Sequence, residues 1–432
     1  MAAVALAVMF CNVTGYSIAI GLMSAFDTLC AQAYGAKQFK RCGILLQRSF
    51  VIITITAIPV SVIWMSSEPI FLLLRQDPDV AELAGVYVRW SWIGLLPYFY
   101  YIVITRFLQA QNELMPVIFS SVVGIGVALI ANPILIYWLD LGFVGAPLSK
   151  ALSSIAMALS CTTWMLSLKL YEKTWPGWTT EAFYGWVEFF KLGIPGTLQL
   201  CAEWWVFELQ ALIAGLIGKI ELAAIMTQMN LTALSYMIPL GLSVTANVRV
   251  GNFLGSGEPK RAKAVSMITI GSALVTNFCF ASVMFLTRNW WPYIFTEDEE
   301  VIATLKPAIP FACIFLLLDG VGAVLGGVMR GCAQQLPAAA ITFLCYYGIS
   351  VPFSIVVGVL LGWGLIGQFI GLTITGAVAA VLYLIWIFFL DWRAASDKAI
   401  ERAKKSQESE DACSEEAGEE RGENATDQEE LL

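Results

Sequence analysis

Three acidic residues lie where the surrounding sequence is almost wholly apolar. Glu203 and Glu208 fall in the middle of Gln199-Leu200-Cys201-Ala202-Glu203-Trp204-Trp205-Val206-Phe207-Glu208-Leu209-Gln210, and Asp319 follows Leu316-Leu317-Leu318. In a helix that crosses a bilayer, an ionised carboxylate at mid-depth costs about 3 kcal/mol on insertion scales, so each acid requires a proton, a cation or a partner. At 100° per residue Gln199, Glu203 and Gln210 share one stripe, whereas Glu208 points about 140° away from Glu203 and sits about 7.5 Å further along the axis. The two glutamates are therefore expected in different surroundings. The Glu203 stripe is predicted to wall a water-accessible cavity. Glu208 shares the face of Trp204 and Trp205, where an aromatic surface can meet a cation. Gly320, Gly322, Gly326 and Gly327 follow Asp319; they permit close helix approach and let this acid point into the same lobe. With no lysine or arginine expected at comparable depth in this half, three acids predict a site of negative potential that takes a positive ligand or a proton. The alternative assignment makes them protonated hydrogen bonders between helices. Gln228, Asn230 and Tyr236 on the next helix are cavity or packing groups, and the pattern does not choose between the two. Asp27, near the end of its helix, suits a helix-end or gate role better than substrate contact.

The elements that must hold these residues are spanning helices. Mean hydropathy is +0.73 and 58% of the 432 residues are apolar, far above a soluble chain. About 20 residues of helix cross the hydrocarbon, and lipid leaves an open backbone no other satisfied structure. Eleven segments qualify: 4–23, 44–65, 87–105, 116–137, 151–168, 194–217, 222–244, 264–286, 308–329, 337–361 and 365–389. Lys37, Lys40, Arg41, Arg106, Lys169, Lys173, Lys191, Arg249, Lys260, Arg261, Lys263 and Arg330 flank one side of these spans, while Arg75, Lys150, Lys219, Arg288 and Lys306 flank the other. The richer side is predicted to be cytoplasmic. The net charge of −8 lies in the tail, where residues 391–432 hold 14 Asp/Glu and 6 Lys/Arg, leaving 19 of each sign upstream. So polar a tail is expected to be disordered and cytoplasmic.

Composition also excludes chemistry. There is no histidine, which removes histidine proton relays, histidine metal sites and Ser-His nucleophiles. The ten cysteines are scattered without paired spacing, so neither a disulfide framework nor a metal site is expected. No cofactor and no nucleic-acid partner is predicted, and no constellation supports an enzyme. Asn12-Val13-Thr14, Asn230-Leu231-Thr232 and Asn424-Ala425-Thr426 match the glycosylation pattern but fall in spans or in the tail, so none should carry sugar. The terminal Asp427-Gln428-Glu429-Glu430-Leu431-Leu432 fits an acidic dileucine pattern that a sorting adaptor could read.

The chain also resembles itself. Gln32, Gly35, Lys40 and Arg41 recur as Asn252, Gly255, Lys260 and Arg261 at an offset of 220. Ala110 to Pro116 is answered by Gly331 to Pro337 at 221, and Gly142-Phe143-Val144-Gly145 by Gly364-Leu365-Ile366-Gly367 at 222. Three ordered matches at near-constant offset indicate a duplication. If the second unit starts near Ile194, the first would start about 26 residues before Met1, so one spanning helix is expected to be missing. The predicted fold is an all-α membrane protein of two pseudo-symmetric six-helix lobes. They would be related by an axis along the membrane normal, the parallel-repeat plan of an alternating-access transporter. A duplicated channel or scaffold would share the repeat. The expected layout is an N-lobe at 1–170 lacking its first helix, a cytoplasmic linker at 171–192, a C-lobe at 193–390 and the tail at 391–432.

Asp27-Thr28-Leu29-Cys30-Ala31-Gln32-Ala33-Tyr34-Gly35, Glu203-Trp204-Trp205-Val206-Phe207-Glu208 and Val248-Arg249-Val250-Gly251-Asn252 together resemble the multidrug and toxin extrusion family, in particular its animal organic-cation exporters. The resemblance runs from Met1 to about Trp392. It implies twelve core helices in two lobes around a central cleft, exchanging protons for cationic drugs and metabolites in a plasma or acidic-vesicle membrane. The family's essential acids then fall on Glu203 and Glu208 in its seventh helix and on Asp319 in its tenth. Asp27, Gln32, Gly35, Arg249 and Asn252 fall on its motif or gate positions. Two departures stand out: Asn230 replaces a further glutamate of the animal exporters, and the family's first helix is absent. The rival expectations are a lipid-linked precursor flippase of related two-lobe fold, which would need a cationic cleft for phosphate, and an inactive truncated isoform.

Overall fold

Because hydrocarbon satisfies no backbone hydrogen bond, apolar segments of this length must close their hydrogen bonds internally as helices. In a computed structural model residues 2–175 and 177–405 are described, and among them there is no strand. Among the described residues eleven helices are long and apolar enough to span a membrane: α1 Ala3–Gly35, α2 Phe39–Met65, α3 Pro78–Ala110, α4 Met115–Trp138, α5 Gly142–Ser167, α6 Trp186–Ile217, α7 Lys219–Gly255, α8 Pro259–Leu286, α9 Ile309–Gly331, α10 Gln335–Leu360 and α11 Gly364–Phe389. Each covers one expected apolar segment, three of which overrun their helix by one residue. The first is longer than its hydropathy suggests, because Ser24, Asp27, Thr28 and Gln32 lower the score yet are all buried in protein. Hydropathy marks exposure to lipid, not the end of a helix.

The duplication is written in the backbone as well as in the residues. Lys37 ends α1 at φ 62° and Gly257 follows α7 at φ 77°. Around them Gln38 N–H bonds Ala33 C=O at 2.9 Å and Glu258 N–H bonds Phe253 C=O at 2.8 Å, the same left-handed helix cap 220 positions apart. Asn112 and Ala333 repeat the device after α3 and α9 at an offset of 221, and Gly142 and Gly364 have positive φ at 222. Even the wide helical turns ending α4 and α10 agree: Leu139 N–H reaches Ile134 C=O and Leu361 N–H reaches Val356 C=O, both at 2.9 Å.

The chain divides into two compact units. One comprises the residues up to Thr28, Leu192–Val250 and Lys260–Asp391; the other comprises Leu29–Lys191, Gly251–Pro259 and 392–405. The first stretch of α1, expected within an N-lobe of 1–170, packs in the unit built on α6 to α11. A seam of small residues explains this. Gly21 sits against Thr197 and Gly196 against Ser24, and the Ser17 hydroxyl accepts from Trp205 Nε1 at 3.4 Å.

In the other unit the linker is pinned to α2. Thr179 N–H bonds Gln47 Oε1 at 2.9 Å, Lys40 pairs with Glu181 at 3.0 Å and Arg41 with Glu188 at 3.3 Å. Residues 392–405 form a further helix, α12, where the sequence predicts disorder. Trp392, Ala395, Ser396, Ala399 and Ala403 are buried, a spacing of i, i+3, i+4, i+7 and i+11 that makes one inward face. Ser396 Oγ donates to Leu254 C=O at 2.9 Å and Arg402 Nη1 to Gln32 Oε1 at 3.0 Å. Packing, not charge balance, orders this stretch. The rest of the acidic tail, with Asn424 and the dileucine, lies outside the described residues.

Candidate functional site

Two of the three membrane acids come together inside the first-described unit, Asp319 buried and Glu203 half-buried. Glu203 from α6 and Asp319 from α9 line one cavity, whose free space, open mouth included, is about 490 Å³. Each carboxylate is held by a tyrosine from another helix. The Tyr236 hydroxyl of α7 donates to Glu203 Oε1 at 2.7 Å, and the Tyr346 hydroxyl of α10 donates to Asp319 Oδ1 at 3.0 Å. Gln199, one turn before Glu203, donates its Nε2 to the Tyr383 hydroxyl of α11 at 3.2 Å. Tyr383 in turn donates to Ala338 C=O at 3.1 Å. Gly322, Gly326 and Gly376 line the same space. At Gly326 a Cβ would stand 2.9 Å from Gln199 Nε2, so the glycine admits the amide.

The expectation of no basic group at this depth is corrected by Arg330. It lines the cavity with both acids, its Nη1 on Gln199 Oε1 at 3.4 Å and its Nη2 on Ser243 Oγ at 2.8 Å. Read as a flanking residue at the end of a span, it stands eleven residues after Asp319, about 20° away on the helix wheel. Helical side chains lean toward the N-terminus, so a long arginine at the end of α9 reaches back over the preceding turns. The stripe argument applied to Gln199 and Glu203 would have found it on α9. Tyr346 and Tyr383 carry no such signal in the sequence.

This helical plan has solved and curated counterparts. The MatE family model matches residues 1–134 and 195–356. The chain belongs to the MatE family. It is 35% identical over 400 residues to multidrug and toxin extrusion protein 1 of Mus musculus, covering 92% of this chain and 70% of that one. It is 33% identical over 397 residues to the Homo sapiens protein of the same name, with the same coverages of 92% and 70%. The crystal structure of the eukaryotic MATE transporter AtDTX14 aligns with a TM-score of 0.89 at 31% identity, covering 93% of this chain and 90% of that one. Like other MATE proteins, the chain is a multi-pass membrane transporter and not an enzyme.

In this MATE chain the remaining candidates stand apart from the cavity. Glu208 is half-buried, is not part of the cavity wall and has no hydrogen-bond partner among the described residues. Trp204 is half-buried and Trp205 exposed; the indole of Trp205 is engaged by Ser17. Gln210 keeps to the Glu203 stripe but lies two turns beyond the cavity, buried, with Nε2 on Ser350 Oγ at 3.0 Å. Asn230 and Arg249 are exposed, and Asp27 is buried outside the cavity wall. Gln32, Gly35 and Asn252 meet in the other unit: a Cβ on Gly35 would overlap the Asn252 carbonyl, and one on Gly255 the Gln32 carbonyl.

Proposed function

We propose that this chain is a secondary active antiporter that exports small organic cations in exchange for protons by alternating access, with Glu203 and Asp319 as the exchanging groups. The observation that carries this reading is a cavity walled by two carboxylates from different helices, each already holding a tyrosine hydroxyl. Burial favours the neutral acid and a nearby cation favours the carboxylate. A proton and an organic cation therefore exclude one another. If the protein reorients readily only with the site satisfied, an external excess of protons drives cations outward. The names of the animal relatives, multidrug and toxin extrusion proteins, support efflux as the direction.

Glu208 is proposed to act on cation affinity from its aromatic-flanked position rather than in proton exchange. Arg249, Asn252, Gln32 and Gly35 are proposed to act in closure of the transport path. The flippase reading needs a net positive site for phosphate, and one arginine against two carboxylates does not supply it.

The test is countertransport in proteoliposomes. Tetraethylammonium efflux should accelerate under an imposed pH gradient, acid on the receiving side, and collapse with the gradient. Uptake indifferent to the gradient would overturn proton exchange, and uptake without saturation would favour a channel.

A further inference from the structure

The first turns of α2 are closed off from lipid on every side. Arg41 to Ser49 are buried without a break, whereas Ile55, Ile58 and Val62 further along are exposed as lipid-facing residues are. Gln47 and Arg48 are wholly buried polar groups, and they lie about 5 Å inside the apolar segment that starts at Ile44. What covers them is the linker between α5 and α6. Gln47 Nε2 donates to Gly177 C=O, its Oε1 accepts from Thr179 N–H at 2.9 Å, and Arg48 Nη2 donates to Glu181 C=O at 3.4 Å. A Cβ on Gly185 would stand 3.1 Å from both terminal nitrogens of Arg48. The backbone from Gly177 to Gly185 therefore runs at the height where α2 enters the hydrocarbon, in place of the lipid that would otherwise meet these turns. With Glu181 and Ala182 buried against the unit, Trp178, Phe183, Tyr184 and Val187 are left exposed, Trp178 at 72%.

We propose that residues 177–187 form an interfacial band seated in the headgroup layer on the basic side of the membrane, and that with Lys173 and Lys191 this band binds anionic lipid. Eight of the twenty residues from Tyr171 to Phe190 are aromatic, against 12% of the whole chain. Tryptophan and tyrosine are the side chains that settle at a membrane surface, since their rings are apolar and their N–H or O–H stays wet. The charges point the same way. Each acid of the segment is already engaged: Glu172 with Lys169 at 2.9 Å, Glu181 with Lys40 at 3.0 Å and Glu188 with Arg41 at 3.3 Å. Lys173 and Lys191, one on either side of the band, are exposed and enter no ion pair among the described residues. The outward charge is thus positive, which suits a phosphate or carboxylate headgroup. The depth beside Gln47 and Arg48 selects lipid over a soluble protein as the occupant. The assignment is independent of the exchange reading above and would hold for any substrate.

Photo-crosslinking of the full chain in proteoliposomes tests depth and charge together. The photoreactive residue p-benzoylphenylalanine replaces Trp178 in one protein and Tyr184 in another, both exposed positions where substitution spares the fold. The vesicles hold about four parts phosphatidylcholine to one of phosphatidylserine. After illumination, mass spectrometry should find lipid adducts at both positions, with phosphatidylserine several-fold above its share of the bilayer. Adding Lys173→Glu and Lys191→Glu together should return that share to the bulk value while the adducts persist, since the rings and the Gln47 and Arg48 contacts are untouched. Absence of lipid adducts at both positions would overturn the interfacial placement. Adducts that match the bulk composition before the lysines are changed would overturn the anionic preference. In native membranes, adducts to a protein in place of lipid would make the exposed aromatics a protein-docking surface and overturn the proposal as well.

Discussion

Gly35 rests on the backbone of Asn252, and Gly255, 220 positions further on, rests on the backbone of Gln32. The two halves of the repeat thus meet each other through the same residues, in the manner of a two-fold contact. Neither glycine is needed for its own φ, since the positive φ values fall two residues later, at Lys37 and Gly257. The close approach requires them. Gly35→Ala and Gly255→Ala should each destabilise the protein by about 1–3 kcal/mol through overlap with backbone that cannot rotate away. Gly271→Ala, where a Cβ meets nothing within 4 Å, should be neutral or mildly stabilising. Thermal unfolding in detergent reads all three, and a loss confined to one glycine would contradict the reciprocal contact.

Much of this architecture was legible because a membrane helix and a gene duplication both leave simple periodic marks. The offsets of 220, 221 and 222 found among residues return as matched helix caps and wide turns. What escaped was set by packing. Charge alone assigns Arg330 to a flank, although the helix wheel puts it on the stripe of Asp319. Gln210 kept to the stripe of Glu203 but fell past the end of the cavity, which no wheel reveals. The pattern around Asn230 does not choose between cavity and packing, and the residue is exposed. Beyond Trp392 the inward face of α12 is built from alanines and a serine, too weak in hydropathy to stand out beside six basic residues and fourteen acids.

That face gives a second prediction. A helix of fourteen residues is marginal alone in water, so α12 owes its order to docking through Ser396, Ala399 and Arg402. Ala399→Arg places a bulky charge where only 1% of the residue is exposed. Amide hydrogen exchange across 392–405 should accelerate by at least tenfold while α9 and α11 keep their protection. Unchanged exchange in 392–405 would mean that the buried alanine face is not what orders the segment.

Orientation is tested at the two ends of α8. Lys260 and Glu297 are both exposed and flank that helix, one at its start and one beyond its end. The positive-inside bias assigns the Lys260 side to the cytoplasm. In intact cells Glu297→Cys should react with an impermeant maleimide and Lys260→Cys should react only after permeabilisation. The reverse pattern would invert the transporter.

The acids themselves separate charge from shape. Glu203→Gln, Glu208→Gln and Asp319→Asn keep volume and most hydrogen bonding while deleting the ionised form. If the carboxylates serve only as neutral bridges between helices, each amide should fold and transport nearly as well as the parent. If Glu203 and Asp319 carry the exchange, removing either charge leaves a wall already neutralised by Arg330, with nothing for a proton or a monocation to balance. Both variants should reach the membrane at normal abundance and lose pH-driven tetraethylammonium efflux by at least tenfold. Glu208, outside the cavity wall and without a hydrogen-bond partner among the described residues, should behave differently. Its amide should retain coupling to the pH gradient while half-saturation for the cation rises, since its charge is proposed to attract the substrate and not to trade it for a proton. Efflux measured against gradient size and substrate concentration distinguishes these cases. Near-normal coupled efflux in both Glu203→Gln and Asp319→Asn would leave the architecture standing and remove the chemistry assigned to it.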